Sequence, residues 1–231
     1  MTICVIPARS NSKRIKNKNI INFFGKPLIY YSIKAAKESN LFKRIIVSTD
    51  SEKIANIAIK FGAEVPFLRS KKISNDFVTT TDVIRDCVKN ISSEKVPYHF
   101  CIYPTSIFIK KKDLIAAFKK IKKTKNDLLI SVSEFNSSPH RALKLVKNER
   151  IDFISHKYAN SRSQDLPVLF HDAGSFYIYK TDSLLKRKKK LPKKTTFFNI
   201  NRLNFLDIND QVDIELAKIQ FQYLKKIKKN K

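Results

Sequence analysis

Between a short apolar run and the next helical pattern, five cations fall within ten residues: Arg9, Lys13, Arg14, Lys16 and Lys18. Ser12 and Asn19 sit among and just after them. A guanidinium forks two hydrogen bonds onto phosphate oxygens, an ammonium supplies a point charge, and free backbone N–H groups complete an anion cradle. Such a loop can hold a polyphosphate and take up negative charge as it shifts toward a leaving group. The spacing matches neither G-x-x-x-x-G-K-[ST] nor G-x-G-x-x-G, so neither of those glycine-rich cradles is present. On charge alone, a solvated basic loop explains the same residues equally well.

The flanking elements determine where this loop can sit. Thr2–Pro7 reads as a buried strand. Pro27–Asn40 reads as a helix with Leu28, Ile29, Ile33 and Ala36 on one face and Pro27 in its first turn. Arg44–Ser48 is a second strand, and Thr49 with Glu52 has the capping-box spacing of a helix that runs to Phe61 and ends at Gly62. Val65–Leu68 is a third strand, Thr80–Lys89 a helix and His99–Tyr103 a strand. Lys112–Lys123 and Leu128–Val132 repeat the helix–strand pair. After a long interruption come a strand at Phe176–Tyr179, a helix near Asp182–Lys188, a strand at Leu203–Leu206 and an amphipathic helix from Gln211.

This alternation predicts an α/β fold: a three-layer, Rossmann-like, mostly parallel sheet with helices on both faces, in one domain spanning residues 1–231. The ligand then lies beyond the carboxyl ends of the strands, where the basic loop emerges. Residues 133–170 break the rhythm: they are polar, hold two prolines and offer only short strand candidates such as Ala142–Val146. That is too long for a connector, so the stretch is either functional or an arm that packs on a partner.

The formal net charge is +27. The excess is nearly all lysine, spread over every helix and into a basic tail at residues 225–231, without zinc-finger spacing or an aromatic stripe. Nucleic-acid binding is therefore not expected as the main activity. Arg187–Lys190 reads as a solvated helix end. Cys4, Cys87 and Cys101 lack metal-ligand spacing and read as buried thiols in a reducing cytosol. No stretch approaches the roughly 18 apolar residues of a membrane span, and the N-terminus reads as a strand rather than a signal peptide. The expectation is a cytoplasmic protein with no membrane partner.

The order of the motifs says more than their charge. Pro7-Ala-Arg-x-x-Ser-Lys-Arg14, Lys18-Asn19 and Gly25-Lys-Pro-Leu28, followed by Val47–Asp50, Gly62–Val65 and Phe67–Arg69, resemble the signature of the CMP-sialic acid synthetase family. Arg162–Pro167 and His171–Gly174 resemble its pseudaminic acid cytidylyltransferase branch. The resemblance implies a nucleotide-diphospho-sugar transferase fold and transfer of CMP from CTP to a nine-carbon α-keto acid sugar, a nonulosonic acid. It also implies a magnesium cofactor, with manganese as the alternative. Finally, it implies a homodimer in which residues 133–170 reach over the neighbour's site.

Carried over by position, Arg9, Ser12, Lys18 and Asn19 match the CTP-phosphate loop, with Arg9 and Lys18 supplying the catalytic charge. Arg69, Asp76 and Thr80 match further nucleotide contacts, although Thr80 reads equally well as the N-cap of its helix. The metal position falls on Asp207 and Asn209, where the family typically has Asp-Ile-Asp; Asp210 is the neighbouring substitute. The sugar contacts fall on Tyr103, Arg162, Gln164 and His171. Arg162 is preferred to Arg141 for the sugar carboxylate, and a surface salt bridge explains either. His171 beside Asp172 reads first as a structural pair.

Tyr103 stands where sialic acid synthetases commonly carry glutamine. With Arg162–Pro167 it favours pseudaminic acid over sialic acid, and sialic and legionaminic acid remain the alternative sugars. Ser10-Asn11 replaces the family's Gly-Gly, and asparagine's tolerance of positive φ would preserve a similar loop. The missing carboxylate at Asn209 leaves a second reading open, a CTP-binding homologue with impaired catalysis.

Overall fold

Strand β1 (Thr2–Pro7) is buried along almost its whole length and sends alternate side chains to opposite faces. In the computed structural model, which describes residues 2–91, 96–186 and 191–229, it is the strand from which the basic loop departs. β2 (Asn22–Phe23) and β3 (Lys26–Pro27) form a small hairpin. Its two-residue turn needs positive φ at both Phe24 (50°) and Gly25 (79°), the turn type that matches strand twist. α1 (Leu28–Ser39), β4 (Phe42–Ser48), α2 (Glu52–Lys60), α3 (Thr80–Asn90), β5 (Tyr98–Ile102), α4 (Lys111–Thr124) and β6 (Leu128–Glu134) continue the alternation. β7 (Leu143–Leu145) pairs with β8 (Ile151–Phe153) as a separate antiparallel ribbon. β9 (Phe170–Lys180), α5 (Thr181–Lys186), β10 (Thr195–Asn199) and α6 (Gln211–Lys229) complete the order.

The main sheet has six strands in the order β10-β6-β9-β5-β1-β4. β1 pairs in parallel with β4 and β5, and β10 with β6, while β9 runs antiparallel between β5 and β6. Ile3 and Val5 of β1 pack under α3 and α5, with Ile84, Cys87 and Leu184. Cys4 and Ile6 face α1, α2 and α4, through Ile33, Ala58 and Ala117. That places helices on both faces, as the period-two strand and 3.6-period helix patterns require. Each fully buried large side chain, such as Phe100 or Phe176, contributes about 2 kcal/mol of transfer free energy. The three cysteines are buried free thiols, and burial raises their pKa values, that of Cys87 to about 12. α6 covers a third cluster with Ile15, Phe23 and Phe108, closing the base of the basic loop.

Several boundaries differ from the sequence reading, each for a local reason. Val65–Leu68 is not a strand; one bridge, Ile46 to Glu64, is all that forms. Pro66 has no N–H and biases the residue before it. α2 is capped by Ser51, whose hydroxyl accepts the Ile54 N–H, while Thr49 accepts from Ser51 N–H. Gly62 (φ 86°) ends that helix as expected, with the Gly62 and Ala63 N–H groups on the Ile59 and Ala58 carbonyls. Thr79, not Thr80, caps α3. Leu203–Leu206 is not a strand, because Asn201 caps a short 3-10 turn at Arg202–Asn204. The sixth strand is instead β10, which lies at the sheet edge and so lacks a clear apolar alternation. Arg187–Lys190, read as a solvated helix end, lies outside the described residues. The basic tail is helical as far as Lys229, and residues 230–231 fall outside the described residues.

β9 departs most from expectation. It spans eleven residues where the sequence pattern marks four. Its pairing with β6 shifts register between Ile130 and Val132, which face Tyr177 and Asp172 respectively. The extra residues form a bulge around Gly174 (φ 56°), where the Asp172 carboxylate accepts the Gly174 N–H at 2.8 Å. Ser131 Oγ accepts the Phe176 N–H that the bulge leaves without a ladder partner.

Candidate active site

Because β1, β4 and β5 are parallel, their carboxyl ends at Pro7, Ser48 and Ile102 share one edge of the sheet. The loops leaving β1 and β5 line a cleft of about 580 Å³. One wall is the basic loop, and Asp50 pins its departure from β1. Asp50 Oδ1 accepts the Ser10 N–H at 2.7 Å and Oδ2 accepts the Ser10 hydroxyl at 3.0 Å. Asn19, itself buried, closes the other end by donating to the Arg9 carbonyl at 2.9 Å. The loop does not use positive φ at Ser10 or Asn11, as their replacement of Gly-Gly suggested; its left-handed residue is Asn17, at 55°. Asp50 supplies the constraint in side-chain hydrogen bonds instead.

The cations of this wall are individually held. Lys18 Nζ donates to the Ile208 carbonyl at 2.7 Å. Burial lowers its pKa, Asp207 partly offsets the shift, and Arg14 and Arg9 reinforce it. Arg14 donates to Asn209 Oδ1 at 2.7 Å, tying the loop to the segment before α6. Arg9 and Lys13 each meet a different oxygen of Asp76 at 2.7 Å. The Lys13 and then the Arg9 hydrogen bond hold that carboxyl below the usual range. Arg69 is buried; its backbone N–H donates to the Thr49 carbonyl and its Nε to Ser74 Oγ. At the cleft floor Thr80 and Tyr103 share a hydroxyl hydrogen bond of 2.8 Å.

Arg9, Ser12, Lys18, Asn19, Arg69, Asp76, Thr80, Tyr103 and Asn209 thus line one cleft. Four other sequence-derived candidates lie elsewhere. Arg162 is exposed and paired with Asp165 at 2.8 Å, and Gln164 lines a separate hollow beside Phe135 and Arg141. His171 Nδ1 donates to the Asp172 carbonyl at 3.1 Å, and its ring packs between Phe135 and Phe205. Asp207 is exposed and accepts from the Asn209 amide at 2.8 Å. Asp210 does not replace the missing carboxylate. It caps α6, accepting the Asp213 N–H while Asp213 accepts those of Asn209 and Asp210.

The donor set fits magnesium in kind, since Asp207 and Asn209 offer hard oxygens and a phosphate ligand would add more. Asn209 now places its oxygen on Arg14 and its NH₂ on Asp207, so holding a cation jointly requires its amide to turn over. Among the described residues no group of three or more His, Cys, Asp or Glu side chains could hold a metal unaided. Asp50 is the functional position that the sequence motifs include without giving it a role. Its signal is its place directly after a buried strand, at the edge where the basic loop begins.

The family model described as Cytidylyltransferase matches residues 3–230. The chain is 36% identical over 222 residues to a pseudaminic acid cytidylyltransferase of Campylobacter jejuni (strain 81-176), covering 95% of this chain and 96% of that protein. It is 32% identical over 228 residues to a CMP-N,N'-diacetyllegionaminic acid synthase of the same species (strain ATCC 700819 / NCTC 11168), covering 93% and 92%. Its fold is similar to that of a CMP:2-keto-3-deoxy-manno-octonic acid synthetase solved in complex with CTP. The TM-score is 0.72 at 16% identity, with 96% of this chain and 98% of that one covered.

Proposed function

This chain belongs to the cytidylyltransferase family, and from that premise we propose that it joins CMP from CTP to pseudaminic acid and releases pyrophosphate. The observation that carries the reading is the cleft at the carboxyl edge of the sheet, where Arg9, Arg14 and Lys18 stand on one wall and Tyr103 with Thr80 on the floor. The sugar's anomeric C2 hydroxyl oxygen forms a bond to the α-phosphorus of CTP. The bond from that phosphorus to the bridging oxygen breaks, and pyrophosphate leaves with the electron pair. The hydroxyl proton passes to solvent, since no histidine lines the cleft among the described residues.

The protein's contribution is alignment and charge. Arg9 and Arg14 fork onto phosphate oxygens, and half-buried Lys18 meets the negative charge that grows on the leaving group. A CTP phosphate competes with Asp76 for Arg9 and Lys13, so nucleotide entry exchanges one anion for another. Arg69 and Asp76 then flank the nucleotide. Magnesium, or manganese, bound through Asp207 and Asn209 would neutralise phosphate charge. Pseudaminic acid is favoured over legionaminic and sialic acids by the relative covering 95% of this chain and by Tyr103 in the floor. In a competition among the three sugars at limiting CTP, pseudaminic acid is expected to be consumed first. Preferential consumption of either other sugar would overturn the choice.

The working form is proposed to be a homodimer in the cytoplasm. Leu145, Ile151, Ile154 and Val168 of the insert are 60% exposed or more, an apolar surface that a second copy would cover. Arg162 and Gln164, remote from their own cleft, would then serve the neighbour's sugar. Light scattering is expected to give twice the chain mass, falling to a single chain when Leu145 and Ile151 are both replaced by glutamate. A monomer at concentrations that support turnover would contradict it. No helix among the described residues is long and apolar enough to cross a membrane.

A further inference from the structure

Two cations of the cleft already hold an anion of the chain's own. Asp76 Oδ1 accepts from the Arg9 guanidinium and Oδ2 from the Lys13 ammonium, both at 2.7 Å. One carboxylate thus bridges two cations through separate oxygens, as two oxygens of a phosphate would. The Lys13 and then the Arg9 hydrogen bond lower its pKa, so it stays ionised through the neutral range. All three side chains line the cleft and are partly open to solvent. Exposed ion pairs of this kind are individually weak. A polyanion can therefore take the place of Asp76, and Asp76 can take it back.

The segment that carries Asp76 suits such an exchange. After Arg69 the chain makes a 3-10 turn at Lys71–Ile73, and Ser74 Oγ donates to the Ser70 carbonyl while accepting from Arg69 Nε. The Asn75 amide donates to the Lys72 carbonyl and accepts the Phe77 N–H at 3.0 Å, which sets Asp76 inside a side-chain-stabilised turn. Thr79 then caps α3. Among the described residues, the only hydrogen bonds and ion pairs that tie 70–79 to chain outside 69–83 are those of Asp76 to Arg9 and Lys13. Phe77, beside Asp76, is 96% exposed, so its ring does not anchor the turn. Releasing Asp76 breaks two ion pairs and leaves the turn's own hydrogen bonds in place.

We infer that Asp76 is a resident counter-anion of the pyrophosphate seat: it yields Arg9 and Lys13 to CTP on entry and reclaims them as pyrophosphate departs. This rests on the cytidylyl-transfer reading and adds to it a residue that speeds product release. Pyrophosphate carries more charge than the α-phosphate that stays with the sugar, so it is the half that outcompetes a carboxylate for two cations. An anion that needs both cations has its apparent affinity lowered by the fraction of time Asp76 occupies them. CMP, which leaves that seat empty, meets no such competitor.

Isothermal titration calorimetry with inorganic pyrophosphate, and with CMP as the control, tests this at fixed magnesium. Asp76→Ala is expected to lower the Kd for pyrophosphate about fivefold, the size of two weak exposed pairs together. The Kd for CMP should stay within about twofold. In a Lys13→Ala background the same substitution should gain only about twofold, because half of the contact is already gone. An undiminished gain there would mark a general effect of charge and overturn the inference. A direct ligand contact through Asp76 has the opposite sign, weaker pyrophosphate binding in Asp76→Ala. That result, an unchanged Kd, or an equal gain for CMP would each overturn it. Wild-type protein that makes no CMP-sugar while the variant still gains affinity for pyrophosphate would sink the transfer reading and leave the competition standing. Active wild type with no gain in the variant would do the reverse.

Discussion

Lys18→Ala is expected to lower kcat by about 1,000-fold while leaving a folded protein, at the upper end of what one charge-stabilising donor contributes. Its ammonium is half-buried, and desolvation is the largest influence on its pKa. A charge in that setting acts through a lower effective dielectric than a surface lysine does. Its structural role is a single hydrogen bond to the Ile208 carbonyl at 2.7 Å, worth about 1.5–3 kcal/mol because the donor is charged. Lys13 is the internal control: it stands on the same loop, but its side chain is 70% exposed. Lys13→Ala should therefore cost less than about tenfold, in keeping with solvent screening. Pyrophosphate release under saturating substrates measures both. Equal losses at the two positions would remove the special role assigned to Lys18.

Asp50→Ala carries the second large effect, a fall of about 100-fold in kcat/KM for CTP. The residue is assigned no contact with substrate; it positions the loop that makes one. Two hydrogen bonds hold Ser10 at 2.7 and 3.0 Å, and each bond to a charged group is worth about 1.5–3 kcal/mol. Losing both lets Arg9 leave its aligned position, and small misplacements of a charge clamp are costly. Asp50→Asn separates geometry from charge. Its oxygen can still accept the Ser10 N–H and its NH₂ can donate to the Ser10 hydroxyl, so it should recover most of the loss. An alanine variant within threefold of wild type would show that the loop holds its shape without Asp50.

These effects show where the sequence is informative. β1 and β5 are mostly apolar runs buried on both faces, so composition alone marks them as strands. The basic loop and Arg69 are legible as candidates because charge and motif order coincide there. Asp76, 67 residues from the Arg9 guanidinium it pairs with, comes with the motif order, but the pairing itself depends on the tertiary fold. The β9 bulge is hidden for a different reason. His171-Asp-Ala-Gly174 precedes the four residues that the sequence pattern marks, yet it belongs to the first half of the strand, where one glycine at positive φ and a serine on β6 make the distortion tolerable. β10 escapes the pattern because an edge strand carries little periodic signal, and Asp210 misleads because capping α6 uses its carboxylate locally. Local chemistry is readable; long-range hydrogen-bond assignments are not.

Cytidylyl transfer itself is tested most directly by following the α-phosphate. With CTP labelled there, magnesium and pseudaminic acid, the account predicts that label appears in a CMP-sugar with one pyrophosphate released per product. Retention of the label in CTP with every nonulosonic acid tried, in protein shown to bind the nucleotide, would contradict it.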